Sequence, residues 1–159
     1  MVSDINQTVD FFWDRQLPVS VECLASVRNL TLLPSKNLSL EKDIGAKYSV
    51  INGCYIGEYN TFDLPSRQHY AKAYLLVRHL LQSKAFEVSE TEMISRENTT
   101  DNVSRWVREK VLSMLMPSMA IDYLIKEKSI TNIQLLAKSF NVSEVDLRDR
   151  LIDVGWLPV

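Results

Sequence analysis

The side chains with the widest chemical repertoire are few: two histidines, His69 and His79, and two cysteines, Cys23 and Cys54. The histidines are ten residues apart in a stretch of helical periodicity. At a rise of ~1.5 Å per residue they stand ~15 Å apart along the axis, whereas the ligands of one zinc ion lie within ~4 Å of each other. They cannot share a metal, and ordinary packing or surface duty is the reading for each. Cys23 and Cys54 lack the short spacing of a zinc knuckle, and a chain of 159 residues needs no stapling, so both read as reduced, packed thiols. No glycine-rich phosphate loop, G-x-S-x-G elbow or H-E-x-x-H pair occurs. No cofactor is expected.

The elements that would position these residues are mainly helical. Four glycines and five prolines are too few for a hairpin-rich architecture, and 46% hydrophobic residues suffice for one packed core. Ile5, Val9, Phe12 and Trp13 repeat at helical spacing within residues 4–15. Pro18 opens a second helix, with Val21, Leu24, Ala25 and Val27 on one side. Tyr48, Val50 and Ile51, then Cys54, Tyr55 and Ile56, flank Asn52-Gly53, whose tolerance of positive φ suits a type I′ turn, so a small antiparallel sheet sits here. Residues 66–83 form the central helix, capped by Ser66, with Tyr70, Ala73, Tyr74, Val77, Leu80 and Leu81 as its apolar stripe.

Residues 87–101 hold Glu87, Glu90, Glu92, Glu97 and Asp101 among Ser, Thr and Asn, and read as an acidic exposed loop, either solvated or partner-binding. A further helix carries Val103, Trp106, Val107, Val111, Leu112 and Leu115 and stops at Met116-Pro117. Shorter helices follow, with Thr131 and Ser143 as N-caps, Asp146 completing a capping box with Ser143, and Gly155 as a C-terminal stop. The helix at 131–139, the turn at 140–142 and the helix from Ser143 have the outline of a helix-turn-helix. Against DNA reading, residues 130–153 carry more acid than base, and the whole chain has 18 basic and 20 acidic side chains. No apolar run approaches the ~18 residues of a membrane span, and Met1 to Asp4 do not begin a leader, so a cytoplasmic location is expected.

Three stretches, in order, resemble the ImmA/IrrE metallopeptidases. Arg67-Gln68-His69-Tyr70-Ala71-Lys72-Ala73-Tyr74-Leu75-Leu76-Val77-Arg78-His79-Leu80-Leu81 is similar to that family's active-site helix, R-Q-R-F-T-L-A-H-E-L-G-H-x-L-L. Leu115-Met116-Pro117 resembles its L-L-M-P. Leu136-Ala137-Lys138-Ser139-Phe140-Asn141-Val142-Ser143, on through Arg150-Leu151 to Val154-Gly155, resembles its tail. The resemblance implies an α+β, predominantly helical, zincin-like scaffold. It would be a single domain over residues 1–159, with a core to residue 117 and C-terminal helices from 118 packed on it.

The departures from that family set the functional expectation. On this register the two zinc-binding histidines and the intervening catalytic glutamate fall at Tyr74, Arg78 and Leu75, and the third ligand falls at or near Trp106. A permanently cationic guanidinium has no lone pair for Zn²⁺, and a leucine cannot move a proton. The resemblance therefore implies a pseudoenzyme without a metal site. The expected role is protein–protein interaction in transcription regulation: an antirepressor or prophage or mobile-element regulator that sequesters a DNA-binding repressor. The rim formed by Glu87, Glu90, Glu92, Glu97, Arg78 and His79 is the expected partner surface. Two other readings stay open, a metallopeptidase with an unusual metal site and a helix-turn-helix DNA-binding regulator.

Overall fold

A computed structural model describes residues 14–40, 44–81, 90–95 and 102–159. The helix expected from Ile5, Val9, Phe12 and Trp13 lies outside the described residues. Helix α1, Val21–Ser26, starts after Pro18 rather than at it, because the Ser20 side chain caps it by accepting from the Cys23 amide at 3.4 Å. Val27, expected on its buried side, is the C-cap and is exposed.

Strands β1 (Leu30–Ser35), β2 (Ile44–Ile51), β3 (Cys54–Asn60) and β4 (Glu90–Ser95) form one mixed sheet in the order β1-β3-β2-β4. The β2–β3 hairpin turns on Asn52 and Gly53, whose φ values of 50° and 77° are both positive, as a type I′ turn requires. β1 runs parallel to β3, and its edge position tolerates Pro34, which has no amide to donate. β4 pairs antiparallel with β2, so residues 90–95 of the expected acidic loop are a strand. Long-range pairing with Val50 through Ile44 supplies the backbone partners that local sequence does not reveal. Cys23 and Cys54 are free, as expected, but exposed rather than packed: one lies on the outside of α1, the other beside the hairpin turn.

Helix α2, Pro65–Leu81, is the central element. It begins at Pro65, whose missing amide is no loss in a first turn, so Ser66 is a helical residue rather than the cap. The Gln68 amide instead ties the entry loop down by donating to the carbonyls of Thr61 and Asp63. α2 packs on the sheet and against α1 and α3, and this wide coverage buries His69, Ala71, Leu75 and Leu76 as well as Ala73 and Val77 of the expected stripe.

Helix α3, Asn102–Leu115, ends before Pro117 as expected. α4, Ser118–Asp122, runs into a π-type turn at Tyr123–Glu127. α5, Ile133–Phe140, is capped by Asn132 rather than Thr131, its side chain accepting from the Leu135 amide at 3.0 Å. α6, Glu144–Asp153, is capped by Ser143 at 3.1 Å. Left-handed Asn141 and Gly155 close α5 and α6, each with the following amide bonded back to a carbonyl of the last turn. One hydrophobic cluster runs from Val21 through Val50, Leu75 and Met114 to Leu151, so the sheet and the C-terminal helices share a core.

Candidate functional site

The register of α2 divides its residues between two tasks. Arg67, Tyr70, Ala71 and Tyr74 recur at the three- and four-residue intervals of a single helix face, and all four line a cleft of about 430 Å³. Its far walls come from Ala46 of β2, Ile94 of β4, Arg108 of α3, and Val145 and Asp146 at the start of α6. Leu75 is turned to the sheet instead. Its Cδ1 would lie 3.1 Å from a methyl group built on Gly57, so a glycine at that point of β3 is what lets the helix approach so closely.

One wall of the cleft carries an ion-pair cluster. One Arg108 nitrogen lies 2.6 Å from Asp146 and 2.8 Å from Asp149, bolting α3 to α6. Asp146 thus serves Arg108 rather than closing a capping box with Ser143. Burial disfavours the Arg108 charge, but the two carboxylates and the hydrogen bond to Asp149 outweigh it and raise its pKa. Burial pushes the Tyr70 phenol up to about 12, with Arg108 opposing and Asp146 and Tyr74 adding to the rise. Tyr70 is therefore a neutral hydrogen-bonding phenol at any physiological pH, and Arg108 already has its counter-charges. Such a wall is suited to orienting and covering a ligand.

Both histidines are built into the frame. His69 is buried, with Nε2 2.9 Å from the Val19 carbonyl oxygen and Nδ1 3.1 Å from that of Asn141. His79 Nε2 lies 2.7 Å from the Arg28 carbonyl oxygen and Nδ1 2.9 Å from the Tyr48 hydroxyl, with the Tyr55 ring edge-on at 4.8 Å. Burial lowers the His79 pKa against the opposing bond to Arg28, so the ring is neutral: Nε2–H donates to Arg28 and Nδ1 accepts from Tyr48. The packing duty expected of both residues is what the geometry shows.

The four positions that the resemblance would place at a zinc site are dispersed in use. Tyr74 lines the cleft, Leu75 is fully buried, the Arg78 guanidinium stands 5.7 Å over the Tyr48 ring, and Trp106 carries Lys110 at 5.6 Å over its own ring. Among the described residues no group of three His, Cys, Asp or Glu side chains is placed to hold a metal ion. Of the expected partner surface, Glu87 and Glu97 lie outside the described residues. Glu90 and Glu92 are in β4 opposite Val50 and Tyr48, and Arg78 and His79 sit in the last turn of α2.

Sequence reasoning missed Arg67, Arg108 and the pairing of Asp146. The i, i+3, i+4, i+7 spacing of Arg67, Tyr70, Ala71 and Tyr74 was a visible signal for a polar and aromatic helix face. Nothing local joins Arg108 to Asp146, 38 residues away. No helix among the described residues is long and apolar enough to cross a membrane. No family model, no curated protein and no solved structure matches this chain.

Proposed function

We propose that the chain is a non-catalytic, protein-binding regulator on a zincin-like scaffold of the ImmA/IrrE type, acting as an antirepressor or prophage or mobile-element regulator that sequesters a DNA-binding repressor. The observation that carries this reading is the use of the helix face where those peptidases keep zinc and base. Here Tyr74 lines an aromatic cleft, Leu75 is part of the core behind Gly57, and Arg78 rests on Tyr48. A cleft with a neutral phenol and a pre-neutralised arginine is suited to recognition. The cleft also has α6 as a wall. Asp146 and Asp149 of that helix are committed to Arg108, which favours a packing role for α5 and α6 over entry into a DNA groove.

The deciding experiment is capture of partners from the native host, followed by an operator-binding assay. The expected result is a DNA-binding repressor that loses its operator when the purified chain is added in equimolar amount. Near-stoichiometric zinc together with chelator-sensitive peptide hydrolysis would establish the metallopeptidase reading instead. Salt-dependent binding of the chain itself to DNA would establish the helix-turn-helix reading.

A further inference from the structure

Three large exposed apolar side chains belong to, or are next in sequence to, the residues that line the α2 cleft. Phe62 and Leu64 flank the lining residue Asp63 in the loop that enters α2, and they are 69% and 68% exposed. Val145, a lining residue at the start of α6, is 66% exposed. A single exposed leucine is ordinary, but three such side chains on or beside the lining of one cleft, contributed by two distant parts of the chain, offer apolar surface that a partner would cover. Arg67, a lining residue exposed at the cleft mouth, makes no hydrogen bond or ion pair among the described residues. Arg108, a half-buried lining residue, is already neutralised by Asp146 and Asp149.

We propose that this mouth binds an extended segment of a protein partner, with one or two apolar side chains entering the cleft over Tyr70 and Ala71 and a neighbouring aspartate or glutamate pairing with Arg67. The proposal rests on the protein-binding reading above and names the surface it uses. Charge complementarity selects the acidic neighbour: an unpaired guanidinium presents a planar fork that a carboxylate fills with two hydrogen bonds. The extent of the patch selects a polypeptide. A cleft of about 430 Å³ falls in the ~300–1,000 Å³ range of small-ligand sites, but a ligand confined to it would leave Phe62 and Leu64 in water. A segment whose side chains alternate between the cleft and its rim covers both.

The test is selection of a phage-displayed random peptide library on the full-length chain, with affinities of synthesised winners measured by fluorescence anisotropy. Enriched peptides are expected to carry an apolar residue beside Asp or Glu. Arg67→Glu should weaken them by about tenfold, through lost pairing and added repulsion, and exchanging the peptide acid for Lys should restore part of the loss. Phe62→Ser and Val145→Lys should each weaken binding at least threefold, and all three changes are at exposed positions, so an unchanged melting temperature separates lost contact from lost fold. No enrichment, winners without an acidic residue, or affinities indifferent to these variants would overturn the proposal. So would concentration-dependent dimerisation abolished by Phe62→Ser, which assigns the patch to a second copy of the chain. A repressor captured equally well by wild type and by the Phe62→Ser, Val145→Lys double variant rejects this surface and keeps the regulator reading.

Discussion

His69 Nδ1 lies 3.1 Å from the carbonyl oxygen of Asn141, the left-handed residue that ends α5 72 positions later in the chain. With Nε2 on Val19, the same ring joins the segment before α1, the central helix and the α5–α6 turn. Replacing it with Ala takes away the ring nitrogens that face the two carbonyl oxygens and opens a buried gap. His69→Ala should therefore lower unfolding stability by about 2–4 kcal/mol in urea titration. A change under about 0.5 kcal/mol would mean that water replaces the ring at no cost.

Leu75 and Gly57 form a close helix-to-sheet approach. A methyl group at residue 57 would lie 3.0 Å from Leu32 Cδ2 and 3.3 Å from Leu75 Cβ. Gly57→Ala should cost about 1–3 kcal/mol by overpacking, and Leu75→Ala about 2–5 kcal/mol by leaving a cavity. Because the new methyl group would partly fill that cavity, the double variant should be more stable than the sum of the two losses allows. Strict additivity in thermal and urea unfolding would contradict the contact.

The same burial limits any attempt to build a zinc site at Tyr74, Leu75 and Arg78. Leu75→Glu puts a carboxylate where the native side chain has 0% exposure, so the variant Tyr74→His, Leu75→Glu, Arg78→His should bind zinc poorly and melt well below wild type. Tyr74→His with Arg78→His alone should stay near wild type. Chelator should leave the wild-type melting temperature unchanged, as measured by differential scanning fluorimetry.

Stability should rise with pH on the acid side of neutrality. Burial depresses the His79 pKa from its ordinary 6.5, so below that value the unfolded chain takes up a proton that the folded chain refuses. This contribution is complete above about pH 6.5 and falls away as the medium is acidified. Burial works to raise the Glu22 carboxyl, but its hydrogen bond from Lys72, a backbone bond, and the charges of Lys72 and His69 outweigh it. Its pKa is lowered, and its contribution is lost in turn below about pH 4.5. His79→Phe should be less stable throughout yet lose the His79 part of the slope between about pH 5 and 7 in urea titrations. An unchanged slope would place the titration elsewhere.

Arg108 bridges α3 and α6 through two carboxylates. Arg108→Ala should cost about 1–2 kcal/mol, a figure held down by partial solvent exposure, and should weaken any ligand of the cleft by loosening the wall that Asp146 forms. Arg108→Lys should recover only part, because the shorter lysine side chain must bring its ammonium to the one point where a single guanidinium nitrogen meets both carboxylates. Full recovery in both unfolding and peptide affinity would reduce the bridge to simple charge.

What the chain declares on its own is what neighbours in sequence decide. Asn52-Gly53 dictates a hairpin because both residues tolerate positive φ. Pro117 ends α3 by excluding the helical conformation from Met116. Ser143 caps α6 through an oxygen three residues from the amide that it serves. The paired strands of β1 and β4 were not legible: Leu30–Ser35 takes its backbone partners from β3, and Glu90–Ser95, acidic and loop-like in composition, takes them from β2. The candidate site followed the same division. The spacing of Arg67, Tyr70, Ala71 and Tyr74 could be read as one helix face before any coordinates. That Leu75 is buried under Gly57, that Arg108 meets Asp146, and that Asp63 and Val145 line the same cleft were decided only when the helices packed, because burial and charge pairing depend on distance in space.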